Sequence, residues 1–424
     1  MRANLEFILA RLPKERFKMG NFLFKLKFIK LMDVLAFFPF LIALPISWIY
    51  RIKRNNLWLV CERSKEARDN GYWFFKYMIE NHPEQDCVYA IKRNSPDYNK
   101  VASLGGQIIE FGSLKHWIYY LTAKINISSQ KEGKPNAAVC YLLEIYGLRK
   151  NKRVYLKHGI VHNDLKWHYY DVTKMWLYVC SAKREYEFCK SFGYTDENMA
   201  LTGLCRFDNL NDEIRDKKCV FIMPTSREWI AHPIKDYRDI DDIYHFTNTE
   251  YYKAWGAVLE NEQFNTCIEE NDLEVVFFLH PTMQQFSGDF LKLKTKATIK
   301  MSQDVDLQYM LKKASLLITD YSSIFFDFGY MRKPMLFYQF DYDKFRTSHY
   351  QEGYFSYKRD GFGAVCETTE QIVKSFLEIA NEEMNISEKY LDRINSFFLF
   401  NDNMNSERVY RAIKQKIDKE ESNG

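Results

Sequence analysis

Short apolar runs alternate with helix-like stretches along this chain, and the alternation starts twice. The first series of runs lies at 57–61, 87–91, 107–111, 124–128, 153–157 and 175–180. The second series begins after Asp212 and lies at 218–223, 273–279, 297–301, 315–319 and 334–338. Strands that alternate with helices imply parallel βαβ units. The sequence therefore predicts an α/β protein with two halves of similar size.

The length of the chain agrees with this division, because 424 residues correspond to two or three domains at about 100–200 residues each. We predict a membrane-association segment at 1–55, a first α/β domain at 56–210 and a second at 211–424. The helical stretch near the C-terminus, about 370–418, is expected to pack back across both halves.

The N-terminal segment combines positive charge with an uncharged apolar run at 34–50. Residues 1–55 carry 11 Lys and Arg against 3 Asp and Glu, whereas the remainder has a net charge of −4. This asymmetry argues against nucleic acid as a partner and favours an anionic membrane surface. We interpret the run as a monotopic or re-entrant anchor on the cytoplasmic face. A transmembrane span and a helix packed on the protein's own core are the alternatives.

Nine cysteines are scattered along the chain without a CxxC pair. An odd number without framework spacing indicates reduced thiols in a cytosolic compartment. No Cys and His cluster has zinc spacing, and the DVD at 304–306 is interpreted as helix-capping acids. We therefore predict no metal and no cofactor.

Four of the apolar runs end in polar residues, and ligands of open parallel sheets bind beyond the carboxyl ends of the strands. The polar segments are His158-Gly159, Pro224-Thr225-Ser226-Arg227, His280-Pro281 and Asp320-Tyr321-Ser322-Ser323. Where a strand turns directly into a helix, the first N–H groups and the hydroxyls of Ser322 and Ser323 can hold a phosphate. The same residues could equally form a plain helix cap.

Two histidines and an arginine at these strand ends have suitable chemistry for a site. An imidazole with an ordinary pKa of about 6.5 suits a general base, which makes His158 and His280 candidates. Each could also be only a hydrogen-bonded structural residue. The guanidinium of Arg227 matches phosphate geometry, or Arg227 could be an ordinary surface residue.

Together these segments resemble the CDP-glycerol glycerophosphotransferase family, of the teichoic-acid polymerase type, over nearly the whole chain. The densest similarity is ASLLITDYSSIFFDFGYMRKPMLFYQFD (314–341). Further similarity lies in LKHGIVHNDL (156–165), MPTSREW (223–229), FFLHP (277–281), DNMNSERV (402–409) and CERSKEARDNGYWFFKY (61–77). Ile160, Ser226 and Phe278 depart from residues that the family often has there.

The resemblance implies a GT-B-like fold, in which two Rossmann-like domains face a cleft, and a transferase acting on a lipid-linked acceptor. An acceptor hydroxyl would attack the β-phosphate of a CDP-polyol, glycerol first among the polyols, and release CMP. His158 would be the general base, and His280 would stabilise phosphate charge or exchange roles with it. The donor diphosphate would be held by Thr319, Ser322, Ser323, Arg227 and Arg408, while Asp320 and Asp327 would orient donor hydroxyls or neighbouring loops.

The expected partners are CDP-glycerol or another CDP-polyol, a lipid-linked glycan acceptor and an anionic membrane surface. The products would be teichoic-acid or capsular polymer, made at the cytoplasmic face of the cell membrane. Two alternatives stay open. One is a GT-B glycosyltransferase that uses a nucleotide sugar, and the other is a non-catalytic membrane-bound assembly protein. Homo-oligomer formation is also left open.

Overall fold

A computed structural model describes residues 31–145, 152–210, 214–231, 246–348 and 351–423. These residues form two compact units. The first domain comprises the described residues within 31–160, 166–209 and 400–423, and the second domain comprises those within 161–165 and 210–399. Three segments thus group differently from the predicted boundaries. The described residues of 31–55 and the segment 400–423 group with the first domain, and 161–165 groups with the second, as does Leu210. The predicted features of residues 1–30 lie outside the described residues.

The described part of the first domain contains a parallel sheet of seven strands. They are β1 Trp58–Cys61, β2 Cys87–Ile91, β3 Gln107–Glu110, β4 Ile125–Ser128, β5 Arg153–Tyr155, β6 Leu177–Cys180 and β7 Met199–Leu201. Their order is β3-β2-β1-β4-β5-β6-β7. The α-helices are Leu31–Leu35, Phe37–Lys53, Asn70–Asn81, Tyr98–Ala102, Leu114–Thr122, Ala137–Ile145, Tyr170–Thr173, Lys183–Lys190 and Asn405–Ser422.

The described part of the second domain contains a parallel sheet of six strands. They are β8 Cys219–Met223, β9 Glu274–Phe278, β10 Thr298–Lys300, β11 Leu316–Thr319, β12 Met335–Tyr338 and β13 Ala364–Cys366. Their order is β10-β9-β8-β11-β12-β13. A separate antiparallel pair joins Asn163–Asp164 to Gln351–Glu352. The α-helices are Glu250–Leu259, Glu262–Glu270, Ser287–Phe290, Leu307–Lys313, Phe325–Tyr330, Tyr342–Ser348, Tyr357–Asp360, Thr369–Asn381 and Glu388–Phe397.

The central strands are buried along their whole length because helices cover both faces of each sheet. In β1, Trp58 and Val60 pack into one buried cluster with Phe74, whereas Leu59 and Cys61 pack into another with helix Leu114–Thr122. This division follows from the two-residue period of a strand. The predicted parallel βαβ architecture is confirmed in both domains.

Three details differ from the sequence prediction. The edge strands β7 and β13 were not predicted, because each has three residues of which two are partly exposed. The predicted helix at 249–269 is two helices, since Asn261 ends the first and its side chain accepts from the Phe264 N–H to cap the second. The predicted stretch at 370–418 is three helices, and the last one groups with the first domain.

The apolar run near the N-terminus forms helix Phe37–Lys53, which packs along helix Leu114–Thr122. Phe40 meets Trp117 with ring centroids 5.5 Å apart, and Arg51 donates to the carbonyl oxygen of Leu121. Length and composition would allow the stretch Asp33–Lys53 to cross a membrane. One face of the helix is nevertheless packed on the first domain, while the other exposes large apolar side chains, including Phe38, Ile42, Trp48, Ile49 and Ile52.

The two sheets share a strand order, because each begins with its third, second, first and fourth strands side by side. In such sheets the connections from the first strand and from its neighbour run to opposite sides of the sheet. Ligands bind at this point, beyond the carboxyl ends of the two strands. This switch point lies between β1 and β4 in the first domain and between β8 and β11 in the second. The segments that follow β8 and β11 are the predicted 224–227 and 320–323.

Candidate functional site

His158 of the first domain presents its imidazole to solvent at the carboxyl end of β5. Its side chain is 73% exposed, and its Nδ1 lies 2.7 Å from Oδ2 of Asp69. The residue before it, Lys157, has a left-handed backbone with φ of 63° and a fully buried side chain that pairs with Glu185. Such a conformation is unfavourable for a residue with a side chain. The buried ion pair therefore fixes the turn that points His158 outwards.

Asp69 is the residue that orients this imidazole. Its Oδ1 accepts from Arg206 at 3.0 Å, and its Oδ2 accepts from Gln130 at 3.1 Å. Burial by itself raises the pKa of Asp69, but His158 and Arg206 outweigh it and hold that pKa below its ordinary value. An ionised Asp69 accepts a hydrogen bond from the N–H at Nδ1 of His158. Nε2 is then the ring nitrogen without a proton, and it is the one that can act as a base.

N–H groups in the first turn of helix Asn70–Asn81 and in the loop just before it are used by the protein itself. Glu62, which directly follows β1 and is buried, accepts from the backbone N–H of Arg68, Asp69 and Tyr72 at 2.7–3.2 Å. Gly71 leaves room for this side chain, because a β-carbon there would lie 2.9 Å from Cγ of Glu62. The helix end where Rossmann-like domains often hold phosphate is thus filled from within.

The second domain turns its charged strand-end residues inwards. Arg227 is fully buried and pairs with Asp320 at 2.9 Å and with Asp341 at 2.7 Å. Oδ1 of Asp320 accepts from the backbone N–H of Thr225 and Tyr321. Burial raises the pKa of Asp320, although Arg227 opposes the shift. This network ties the loop after β8 to the loop after β11.

Two predicted phosphate ligands are therefore enclosed in the fold. Arg227 was expected to contact a diphosphate, but it has no exposed surface, and its remaining Nη1 donates to the carbonyl oxygen of Thr225. Thr319 is also fully buried, and its hydroxyl donates to the carbonyl oxygen of Met223 at 2.7 Å. Their positions do not fit direct contact with a ligand. Both instead hold β8 and β11 and their loops together.

Ser322 and Ser323 behave differently from these neighbours. Both are partly exposed, and their hydroxyls have no hydrogen-bond partner among the described residues. Helix Phe325–Tyr330 begins after Ile324, and no side chain caps it. In the structure, therefore, neither serine side chain caps this helix. Asp327 lies within the helix and is 4% exposed, which leaves little surface for donor hydroxyls.

His280 follows β9 on the neighbouring loop of the second domain. Its Nδ1 lies 2.8 Å from the Thr282 hydroxyl and accepts from the Thr282 N–H. Burial lowers the pKa of His280 to about 4. The imidazole is therefore neutral near pH 7, and with Nδ1 accepting it carries its proton on Nε2. It can donate a hydrogen bond to an anion but does not add a positive charge.

The other predicted residues have simpler surroundings. Arg408 belongs to the first domain, where it pairs with Asp402 and lies over the ring of Phe400 at 3.7 Å. Its predicted contact with a donor phosphate stays a prediction. Asp306 accepts from the Tyr309 N–H and caps helix Leu307–Lys313, which confirms its interpretation as a cap. Within the described ranges no group of His, Cys, Asp and Glu side chains could hold a metal ion.

Sequence reasoning missed Asp69, Arg206 and Asp341. Asp69 is 89 residues from His158, and Asp341 is 114 residues from Arg227. Local spacing contains no information about such pairs. A usable sequence signal existed only for Asp69. This residue precedes an apolar helical pattern as an N-cap, and it lies in the first loop after β1, where a switch-point ligand is expected.

Comparison with known proteins agrees with the fold and with the family resemblance. A model of the family CDP-Glycerol:Poly(glycerophosphate) glycerophosphotransferase matches residues 42–415. The minor teichoic acid biosynthesis protein GgaB of Bacillus subtilis (strain 168) is 30% identical over 88% of this chain and 41% of that protein. The teichoic acid poly(glycerol phosphate) polymerase of the same strain is 24% identical over 85% of this chain and 49% of that protein. The chain thus spans about half the length of the curated relatives it matches.

Solved structures show the same fold at lower identity. A structure of the wall teichoic acid polymerase TagF has a TM-score of 0.61 and 16% identity, covering 92% of this chain and all of that chain. A putative UDP-N-acetylglucosamine 2-epimerase from Listeria monocytogenes has a TM-score of 0.55 and 12% identity, covering 86% of this chain and 97% of that chain. The predicted GT-B-like class, with two Rossmann-like domains, is confirmed.

Proposed function

Because the chain belongs to the CDP-glycerol:poly(glycerophosphate) glycerophosphotransferase family, we propose that it transfers a polyol phosphate from a CDP-polyol to a hydroxyl group. Glycerol phosphate is the first candidate for the transferred group, and a membrane-linked glycan in teichoic-acid or capsular polymer synthesis is the proposed acceptor. A TagF variant soaked with CDPG is among the structures with the same fold, at 16% identity and a TM-score of 0.57.

The observation that carries this proposal is the His158 imidazole, which is open to solvent on one side and held by Asp69 on the other. A neutral imidazole of this kind can remove a proton from an attacking hydroxyl. Asp69 keeps Nε2 free of hydrogen and stabilises the imidazolium that forms.

The reaction transfers one phosphoryl group and needs one base. The acceptor oxygen forms a bond to the β-phosphorus, and the bond from that phosphorus to the oxygen bridging the two phosphates breaks. The hydroxyl proton moves to Nε2 of His158, and CMP leaves with the bridging oxygen. That oxygen needs no proton at neutral pH, because the second pKa of a phosphate monoester is about 6. The product is a phosphodiester between acceptor and polyol.

The second domain is proposed to bind the donor diphosphate. The hydroxyls of Ser322 and Ser323 have no partner among the described residues and can donate to phosphate oxygens. The neutral His280 can add a further donor through Nε2. Fixed donors aimed at developing charge stabilise a transition state without reorganisation. Asp320 orients the serine loop through its ion pair with Arg227.

Nucleotide release tests the proposal and its two alternatives together. The purified protein is incubated with CDP-glycerol, CDP-ribitol or UDP-sugars and a panel of lipid-linked acceptors, and the released nucleotide is identified. CMP from a CDP-polyol, together with a new phosphodiester, is the expected result. UDP release from a nucleotide sugar would favour glycosyl transfer instead. No release of any nucleotide with any acceptor would favour the non-catalytic assembly protein.

We further propose that helix Phe37–Lys53 holds the protein peripherally on the cytoplasmic face of the cell membrane. Its exposed apolar side chains and the excess positive charge of residues 1–55 suit an anionic lipid surface. Sedimentation with vesicles of phosphatidylcholine, with and without phosphatidylglycerol, tests this. Replacing Trp48 and Ile52 with Glu should abolish binding to the anionic vesicles. Unchanged binding would remove this helix as the anchor.

A further inference from the structure

Arg346 of the second domain has two guanidinium nitrogens without a hydrogen-bond partner among the described residues. It lies on helix Tyr342–Ser348, and its Nη1 donates to Oδ1 of Asn163 at 2.7 Å. Unlike Arg227, Arg346 is partly exposed as a residue, but its Nε and Nη2 are shielded from solvent and neither has a hydrogen-bond partner in the described part of the chain. An arginine cannot lose its charge in a protein, and buried donors without acceptors are destabilising. Nε and Nη2 of Arg346 are therefore available to an acceptor other than the described side chains.

The acids near Arg346 do not supply that acceptor. No ion pair joins Arg346 to a carboxylate within the described ranges. Glu352, on the neighbouring two-residue strand, instead faces the Tyr342 hydroxyl at 3.4 Å. The rings of Tyr342 and Tyr357 lie 5.4 and 5.8 Å from the guanidinium carbon. They contact the guanidinium but offer its N–H groups no anionic acceptor.

The helix that carries Arg346 is fixed to the loop that carries the two serines. Phe345 stacks on Tyr321 with ring centroids 3.7 Å apart, and Tyr321 directly precedes Ser322. At the start of the helix, Asp341 pairs with the buried Arg227. Tyr357, which contacts the guanidinium, is also 6.1 Å from the ring of Tyr321. The position of Arg346 relative to the serine loop is thus set by packing.

We propose that Nε and Nη2 of Arg346 bind two oxygens of one phosphate group. Adjacent guanidinium N–H groups match the spacing of phosphate oxygens, and this charge-assisted pair is among the stronger hydrogen-bonding arrangements. The phosphate is either the donor diphosphate or the glycerol-phosphate end of an acceptor. The assignment to donor or acceptor rests on the proposed function, whereas phosphate binding itself does not.

The test measures binding of three probes by isothermal titration calorimetry with the full chain. CDP stands for the donor, sn-glycerol 3-phosphate for the acceptor end, and inorganic phosphate for the shared chemistry. Arg346→Lys keeps a positive charge but loses the two-point contact, so it should weaken at least one probe by about 10- to 100-fold. Arg359→Lys is the matched control, because Arg359 is exposed and pairs with Asp360 at 2.7 Å.

The pattern of losses identifies the source of the phosphate. A loss confined to CDP assigns Arg346 to the donor, and a loss confined to glycerol phosphate assigns it to the acceptor. Equal affinities in Arg346→Lys and wild type, or a wild-type protein that binds no probe, would overturn the inference. A protein that binds inorganic phosphate through Arg346 but does not bind CDP would keep the inference and count against the proposed function. Matching thermal unfolding of the two variants excludes a general folding defect.

Discussion

The two domains use the same strand order but arrange their switch points in different ways. In the first domain, Glu62 accepts from the Arg68 N–H just before helix Asn70–Asn81 and from the Tyr72 N–H in its first turn, and Asp69 supports His158, which reaches solvent. In the second domain, the charged groups Arg227 and Asp320 face inwards, and the partly exposed serines after β11 have no hydrogen-bond partner in the described residues.

This difference indicates how one scaffold can supply two kinds of chemistry. An oriented imidazole suits proton transfer, whereas hydroxyls and a neutral histidine suit the binding of an anion. A Rossmann-like domain whose helix terminus is filled by its own carboxyl side chain has no free site for phosphate at that position. The comparison is the reason for proposing nucleotide binding in the second domain and proton removal in the first, and each proposal can be tested separately.

The largest effect is expected at Arg227, on stability. Arg227→Met leaves Asp320 and Asp341 buried without their cation, which should lower the free energy of unfolding by about 3–5 kcal/mol. Denaturant titration measures this, with Arg359→Met as the control, since exposed pairs contribute at most about 1 kcal/mol. A variant that is as stable as the control but binds CDP poorly would return Arg227 to the phosphate site.

Removal of His158 should have the next largest effect, and it should affect rate. His158→Ala is expected to lower CMP formation by at least ~10²-fold, the usual scale of general acid–base catalysis. Its melting temperature should change little, because the side chain is mostly exposed. His82→Ala, which removes a histidine stacked on Tyr410 in the same domain, is the control. Turnover close to that of wild type would exclude His158 as the base.

Asp69 should have a smaller effect that depends on His158. Asp69→Asn can still cap helix Asn70–Asn81, but its amide favours the wrong imidazole tautomer, so turnover should fall by about 10- to 100-fold. If Asp69 acts through the imidazole, adding Asp69→Asn to His158→Ala should cause no further loss. If the turnover of the double variant instead falls by the product of the two single-variant losses, Asp69 has only a structural role.

The serine pair should influence substrate affinity more than stability. Ser322→Ala with Ser323→Ala removes two hydroxyl donors, each of which contributes about 1 kcal/mol, so KM for the CDP-polyol should rise by about 10-fold or more. Ser387→Ala, at an exposed helix start without a side-chain cap bond, is the control. A loss of stability without a change in KM would support the helix-cap interpretation after all.

The sequence allowed prediction of the strands because buried parallel strands have continuous apolar runs, as in CVFIM of β8. It also located the polar strand ends, because these follow the runs directly. It could not show which way those residues face. Arg227 and Ser322 both follow central strands, yet one is enclosed by an acid 114 residues away and the other is partly exposed. Such pairings depend on the tertiary fold, so Asp69 and Arg346 were found only in the structure.

The smallest effect is expected at His280, and it distinguishes a neutral donor from a cation. Burial lowers its pKa to about 4, below the value of about 6.5 expected in the unfolded chain. Its neutral form therefore contributes stability that is fully present above pH 6.5 and is lost as pH falls towards 4. His280→Gln keeps a neutral donor, so the difference in melting temperature between the two proteins should be constant from pH 7 to 8. Below pH 6.5, and only there, the melting temperature of the wild type should fall relative to that of His280→Gln. A difference that changes above pH 7 would mean that His280 is charged in the native state, and the division between a neutral donor site and a separate base would fail.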